Sequence, residues 1–207
     1  MLRIDHIVLA VRDLDTAGTR IQKEVGLGSL PGGRHPGWGT GNRIVPLGHE
    51  YVELLAVVDP MEAESSPVGR WISNASRSGD RFVAWCVSTD EIERVAERLG
   101  LAVATGSRSL PDGRILRWRS AGLDRVAEHP DLPFFISWDG PPELHPGRAR
   151  AQHRVEPNGI AWIEVASDHG RLHGWLGGED VPVRVVGGEP GVRAVGISTA
   201  RSEIVLR

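Results

Sequence analysis

His6 and Glu53 are the two side chains whose types and positions best suit chemistry. The alternation in IDHIVLAV (4–11) predicts a strand with His6 on the face of Ile4 and opposite the face of Ile7. The alternation in YVELLAV (51–57) predicts a second strand, with Glu53 on the face of Tyr51. An imidazole and a carboxylate therefore lie in the middle of two predicted strands.

A carboxylate in mid-strand needs solvent, a cation or a hydrogen-bonding partner, because burying it alone costs several kcal/mol. Imidazole nitrogen and carboxylate oxygen suit a divalent metal such as Zn, Ni, Co, Mn or Fe, which could polarise the vicinal oxygens of a substrate. His6 and Glu53 are thus candidate metal ligands and catalytic residues. The alternative is a hydrogen-bonded structural pair in a polar cleft.

The segment GGRHPGWGTGNR (32–43) combines glycines with polar and aromatic side chains in a way that a plain turn does not require. Glycine allows close backbone approach to a ligand, arginine binds carboxylates in a forked geometry, and tryptophan offers a flat apolar wall. We expect an anionic or carbonyl-rich small molecule here, unless the segment is an ordered loop with solvated arginines. The candidate binding residues are Arg34, His35, Trp38, Thr40, Asn42 and Arg43.

These residues belong to a strand–helix–strand–strand–strand order. Asp13 is a predicted N-cap for a helix that ends at Gly26, and two strand-like runs follow before YVELLAV. The same order returns at 81–139, where VATGSRSL (103–110) is one of the strands, and a shorter copy is visible at 160–207. This predicts an α+β fold of tandem βαβββ modules with a third, partial βαββ copy. We place the units at 1–78, 79–155 and 156–207.

The segments DHIVLAVRDLD, GGRHPGWGTGNRIVPLG and YVELLAVVDP resemble glyoxalase-like proteins of the vicinal oxygen chelate superfamily, which includes bleomycin resistance proteins and dioxygenases. The resemblance continues through RSLPDGRILRWR and LPFFISWD. It implies paired modules that each form half of a cleft. It also implies a divalent metal held by residues on the first and last strands of each module, His6 and Glu53 in the first.

The second module lacks the corresponding ligands. Aligning Val87 with Val11 sets Phe82 at the place of His6, and the last strand offers Phe135 and Ser137 on one face. A third ligand would have to be His35, His145 or His153, unless no metal binds. Trp85, Trp118 and Trp138 lie on predicted strands of this module and line either the cleft, with Phe135 and Ser137, or the core.

Composition excludes several classes of protein. The 207 residues carry a formal charge of −3, which does not provide the basic surface that nucleic acid requires, and no apolar run is long enough to cross a membrane. Cys86 is the only cysteine, so an internal disulfide is excluded. We expect a cytoplasmic protein, with a mild preference for a homodimer.

The leading hypothesis is a metal-dependent lyase or isomerase that acts on a small oxygenated substrate bearing a carbonyl or a carboxylate. The second is a metal-free protein of the same fold that binds or sequesters a small molecule in the Arg34–Arg43 segment. A third is a degenerate enzyme that serves as an interaction scaffold.

Overall fold

A computed structural model describes residues 1–109 and 113–207 of the chain, and its first half forms the predicted βαβββ order. The helix begins after Asp13, whose side chain accepts a hydrogen bond from Thr16 N–H, and ends at Gly26, whose φ of 78° only glycine adopts easily. Both predicted ends of this helix are confirmed. The elements are β1 (Arg3–Ala10), α1 (Leu14–Val25), β2 (Leu30–His35), β3 (Thr40–Pro46) and β4 (Tyr51–Val57).

Two short helices, α2 (Pro60–Ser65) and α3 (Pro67–Ala75), separate this unit from a second one. Proline occupies the first turn of each helix, where its missing N–H costs nothing. The second unit comprises β5 (Arg81–Ser88), α4 (Ile92–Leu99), β6 (Val103–Ser109), β7 (Ile115–Ala121) and β8 (Phe134–Asp139). Leu110, the predicted end of β6, lies outside the described residues.

Within the described residues the two units share one eight-stranded sheet in the order β2-β3-β4-β1-β5-β8-β7-β6. The first strands of the units, β1 and β5, pair antiparallel at its centre, and each also pairs in parallel with the last strand of its own unit. The sheet is strongly curled, since a Cβ placed on Gly33 of edge strand β2 would lie 3.7 Å from Nη1 of Arg108 on the opposite edge strand, β6. The tandem βαβββ description is confirmed.

The C-terminal unit has a related order of elements with a different strand pairing. It consists of β9 (Pro157–Ala166), α5 (His169–Trp175), β10 (Val183–Val186), β11 (Gly191–Thr199) and β12 (Glu203–Leu206). Among the described residues these strands form a four-stranded sheet in the order β10-β9-β11-β12. The first strand here pairs with the two strands that follow the helix, whereas β1 pairs with the last strand of its unit.

The two faces of the large sheet have separate cores. Ile7, Trp85 and Phe135 pack with α1 and the C-terminal sheet in one core. Val8, Ala84 and other residues of the opposite face pack beneath α3. None of the described helices is long and apolar enough to cross a membrane.

Two β-bulges in the central pair change which residues share a face. Ile4 pairs with Val87 and His6 with Cys86, which leaves Asp5 as an extra residue in β1. Ile4 consequently joins the core of Ile7, and its predicted place on the face of His6 is wrong.

Candidate functional site

A cavity of about 380 Å³ lies on the concave face of the large sheet, under α3. Both modules of the single chain line it, since His6 and Glu53 come from the first and Ala84, Phe134 and Ile136 from the second. The predicted alternation of β4 holds here, because Tyr51, Glu53 and Leu55 all face the cavity. A volume of this size is at the small end of ligand pockets.

His6 is held in the cavity wall by its sequence neighbour and by two aromatic rings. Its Nδ1 lies 2.6 Å from Asp5 Oδ1. Tyr51 stacks on the imidazole with 4.5 Å between ring centroids, and the Phe134 ring lies edge-on at 5.4 Å. Because the carboxylate accepts at Nδ1, that nitrogen carries the proton and Nε2 faces Glu53.

Asp5 is a buried carboxylate that accepts hydrogen bonds from three side chains. Besides His6, Trp138 Nε1 donates to its Oδ2 at 2.9 Å, and His145 Nε2 donates to the same oxygen at 3.1 Å. Burial alone would raise the pKa of Asp5, but the hydrogen bonds from His145 and His6 outweigh it and hold the pKa well below its usual range. Asp5 therefore stays ionised and keeps His6 in one orientation.

His145 is excluded as the third metal ligand because both of its ring nitrogens are engaged. Nε2 donates to Asp5, and Nδ1 accepts the backbone N–H of Gly147 at 3.1 Å. His153 is excluded by location, since its Nδ1 accepts Gly28 N–H on another side of the protein. Of the three candidates, His35 remains.

Glu53 lies between His6 and His35. His6 Nε2 is 3.9 Å from Glu53 Oε2, and His35 Nε2 is 3.9 Å from Glu53 Oε1. Asn42 donates a short hydrogen bond to Oε1, and its own side-chain oxygen accepts Gly33 N–H at 2.7 Å. This second bond orients the amide so that its NH₂ group faces Glu53.

The pKa of His35 is lowered. Burial is the main cause, Glu53 acts in the opposite direction, and the positive charge of Arg108 lowers the pKa further. Thr40 Oγ1 lies 3.0 Å from Nδ1, so the far side of the ring also has a partner. A neutral His35 with Nε2 towards Glu53 can accept a proton or bind a metal.

The donors His6 Nε2, His35 Nε2 and Glu53 fit a divalent cation in type, since two imidazoles and one carboxylate suit Fe, Zn, Co, Ni or Mn. Each histidine has a partner at its other nitrogen, as metal-bound histidines do. Among the described residues, Asp5, His6 and Cys86 form the group whose donor atoms all lie within 4.8 Å of one another, and the donors of His6, His35 and Glu53 are spread more widely than that. That group fits poorly, because His6 Nδ1 already bonds Asp5 and burial raises the pKa of Cys86 well above its ordinary value.

The second module places apolar residues where the first has His6 and Glu53. Ala84 corresponds to His6, because each is the fourth residue of the first strand of its module. Phe134 corresponds to Glu53, because each lies opposite the residue two positions further along that strand, Cys86 and Val8 respectively. The sequence alignment, which put Phe82 at the His6 position, is wrong in register. A bulge at Val83 turns Phe82 into the core that contains Ile7.

Not all of the predicted binding residues reach the cavity. Arg34, His35, Trp38 and Asn42 line it, and Thr40 supports His35 from outside. Arg34 is half exposed and already pairs with Asp59 and Glu62. Arg43 points away towards Asp15 and Ser29, because neighbouring residues of β3 face opposite sides of the sheet.

In the second module, Trp118 and Trp138 line the cavity, whereas Trp85, Phe135 and Ser137 do not. Trp85 and Phe135 are fully buried in the core shared with α1. Ser137 lies in a second cleft of about 610 Å³ and accepts a hydrogen bond from Arg119. The prediction that Trp85, Phe135 and Ser137 line the cleft is therefore wrong. Neighbouring strand residues face opposite sides of the sheet, and these three lie on the side away from the cavity.

Sequence reasoning misses Asp5, Trp71 and Arg108. Trp71 and Arg108 line the cavity from α3 and β6. An aspartate directly before a strand histidine is a signal that could have identified Asp5. The positions of Trp71 and Arg108 depend on how distant elements pack, and local sequence carries no such signal.

Comparison with known proteins gives a family and a fold. A family model described as a glyoxalase-like domain matches residues 4–177. A hypothetical protein from Staphylococcus aureus is similar in structure, with a TM-score of 0.72, 18% identity, and coverage of 98% of this chain and 93% of that chain. Methylmalonyl-CoA epimerase from Mycobacterium tuberculosis has a TM-score of 0.47 at 18% identity, covering 68% of this chain and 89% of that one. No curated protein matches the chain.

Proposed function

This chain belongs to the glyoxalase-like domain family, and on that premise we propose that it is a metal-dependent enzyme acting on a small oxygenated substrate. The observation that carries the proposal is that His6 Nε2 and His35 Nε2 each lie 3.9 Å from an oxygen of Glu53 in the wall of the cavity, so a bound ion would draw these donors closer together. Asp5 behind His6 adds the carboxylate that commonly orients a metal-bound histidine.

His6, His35 and Glu53 would hold the metal. When bound, a divalent ion would act as a Lewis acid that polarises a carbonyl or carboxylate oxygen of the substrate. Arg108 supplies further positive charge near His35. An oxygen-rich, electron-withdrawing end of the substrate therefore belongs at this end of the cavity.

Glu53 is the group that would move a proton. Its Oε1 accepts the hydrogen bond from Asn42, which leaves Oε2 the less engaged oxygen. That oxygen would take a proton from the carbon next to a carbonyl, and the electron pair would move onto the carbonyl oxygen to form an enolate. Return of the proton to the same or a neighbouring atom gives an isomerase, and loss of a leaving group gives a lyase.

The test is titration of Zn²⁺, Ni²⁺, Co²⁺ and Mn²⁺ into chelator-stripped protein by calorimetry, with elemental analysis of protein purified without chelator. We expect one ion per chain, and His6→Ala and Glu53→Ala should each weaken binding by at least tenfold. His153→Gln is the matched control and should bind as the wild type does. If neither His6→Ala nor Glu53→Ala changes the metal affinity, these residues are not metal ligands.

A metal-free small-molecule-binding protein is the second candidate. It is favoured by Ala84 and Phe134, which replace half of the ligand set with apolar side chains. In this case a ligand would quench tryptophan fluorescence equally with and without chelator. Quenching that requires added metal would exclude it.

A further inference from the structure

Four tryptophans line the walls of the cavity. Trp38 and Trp71 line it from the first module and α3, and Trp118 and Trp138 line it from the second. All four indoles are only partly buried, which leaves ring surface facing the cavity. The ring N–H of Trp138 is already bonded to Asp5, so that indole offers the cavity apolar surface.

The positions of two of these indoles are fixed by the protein. Trp118 lies flat against the backbone of β6, since a Cβ on Gly106 would come within 2.3 Å of its ring. Trp118 and Trp138 meet at 57° with 5.7 Å between ring centroids. A preformed aromatic corner of this kind favours a flat ring, because aromatic contacts depend on mutual orientation as well as on buried area.

One cation faces this aromatic space without an acidic partner in the described part of the chain. Arg34 pairs with Asp59 and Glu62, but no ion pair of Arg108 occurs among the described residues. Arg108 reaches from β6 across to Gly33 on β2 and lines the cavity there. A guanidinium in this position matches the two oxygens of a carboxylate.

We propose that the cavity binds a compact aromatic carboxylate, with its ring against the indoles and its carboxylate on Arg108. This inference rests on the proposed function, because it names the substrate class of the same site. The cavity volume of about 380 Å³ suits a single ring with short substituents. The ring's remaining substituents would then lie towards His6 and Glu53.

The experiment compares phenylacetate with three probes, by tryptophan fluorescence quenching and calorimetry on the full chain. Cyclohexylacetate keeps the shape and charge without the π face, benzyl alcohol keeps the ring without the charge, and pyruvate is a small acid. We expect phenylacetate to bind about 2- to 10-fold more tightly than cyclohexylacetate and more tightly than the other two. Equal or weaker binding of phenylacetate would overturn the inference.

Arg108→Gln tests the position of the carboxylate, with Arg117→Gln, an exposed arginine on β7, as control. Arg108→Gln should weaken phenylacetate by about tenfold or more and leave benzyl alcohol unchanged. An equal loss of affinity for phenylacetate and benzyl alcohol in Arg108→Gln would overturn this position of the carboxylate. The same loss of phenylacetate affinity in Arg117→Gln would also overturn it.

Repeating the titration on chelator-stripped protein and on Glu53→Gln separates this inference from the proposed function. Phenylacetate binding that persists in both supports the inference even if no metal binds. Metal binding at His6 and Glu53 without any affinity for phenylacetate overturns the inference and leaves the metal site intact.

Discussion

Asp5 and His6 are adjacent in one strand, and yet Asp5 Oδ1 lies 2.6 Å from His6 Nδ1. Neighbours in a regular strand point to opposite faces, so this contact requires the β-bulge at Asp5. The bulge allows His6 to face the cavity while the Asp5 carboxylate holds the imidazole from the other side. Bulges of this kind commonly occur next to functional sites.

Asp5→Asn should destabilise the protein at pH 7. The substitution removes a buried negative charge that three donors share, and we expect a loss of about 2–4 kcal/mol in the free energy of unfolding. Because the folded-state pKa lies below the ordinary 3.8, the contribution of the carboxylate is complete above about pH 5 and declines as the pH falls further. Urea unfolding at pH 7 and in acid measures both effects.

The control for this change is Asp90→Asn, which alters an exposed carboxylate and should be nearly neutral. Equal stability of Asp5→Asn and wild type at pH 7 would contradict the buried network.

The imidazole of His35 should titrate below its ordinary pKa of 6.5, as measured by NMR of the ring nitrogens. Arg108→Gln should raise this pKa because it removes a nearby positive charge, and Glu53→Gln should lower it because it removes a negative one. Since folding favours the neutral ring, the stability contributed by His35 is present above pH 6.5 and is lost as the pH falls through the folded-state pKa. If Arg108→Gln leaves the pKa of His35 unchanged, the Arg108 guanidinium does not lie near this ring.

Gly32→Ala should displace Glu53 indirectly, through the Asn42 side chain that lies between them. A Cβ at Gly32 would lie 2.0 Å from Asn42 Oδ1, so the amide must move away from the carboxylate it supports. We expect about 1–3 kcal/mol lower stability and at least tenfold weaker metal binding, measured by urea unfolding and calorimetry. Gly33→Ala is the matched control, because its Cβ would make only ordinary contact at 3.7 Å. If the two variants behave alike, Asn42 does not position Glu53.

Cys86→Ala should leave metal stoichiometry and affinity unchanged while costing about 1 kcal/mol of stability as a small core truncation. Burial raises the pKa of the Cys86 thiol well above its ordinary value of 9.0, so the native thiol should also resist disulfide reagents until the protein unfolds. Loss of metal in Cys86→Ala would instead favour the Asp5–His6–Cys86 group.

The repeated βαβββ order and the proximity of His6 to Glu53 can both be predicted from the amino-acid sequence. Both follow from local properties: the two-residue period of strands, the Asp13 and Gly26 ends of α1, and the recurrence of the pattern at 81–139. The first and last strands of a module pair directly in the sheet, so residues in the middle of each come close together.

The residues that complete the site depend on contacts between distant elements and cannot be predicted in this way. A bulge depends on the partner strand, so alternation cannot place Asp5 and Val83, and it predicts the wrong face for Phe82. His35 reaches Glu53 because β2 and β3 pair as a hairpin, and Arg108 reaches Gly33 because the sheet curls until its edges meet. These contacts join residues far apart in the chain, and the free energy that fixes them comes from packing between elements, which no local pattern encodes.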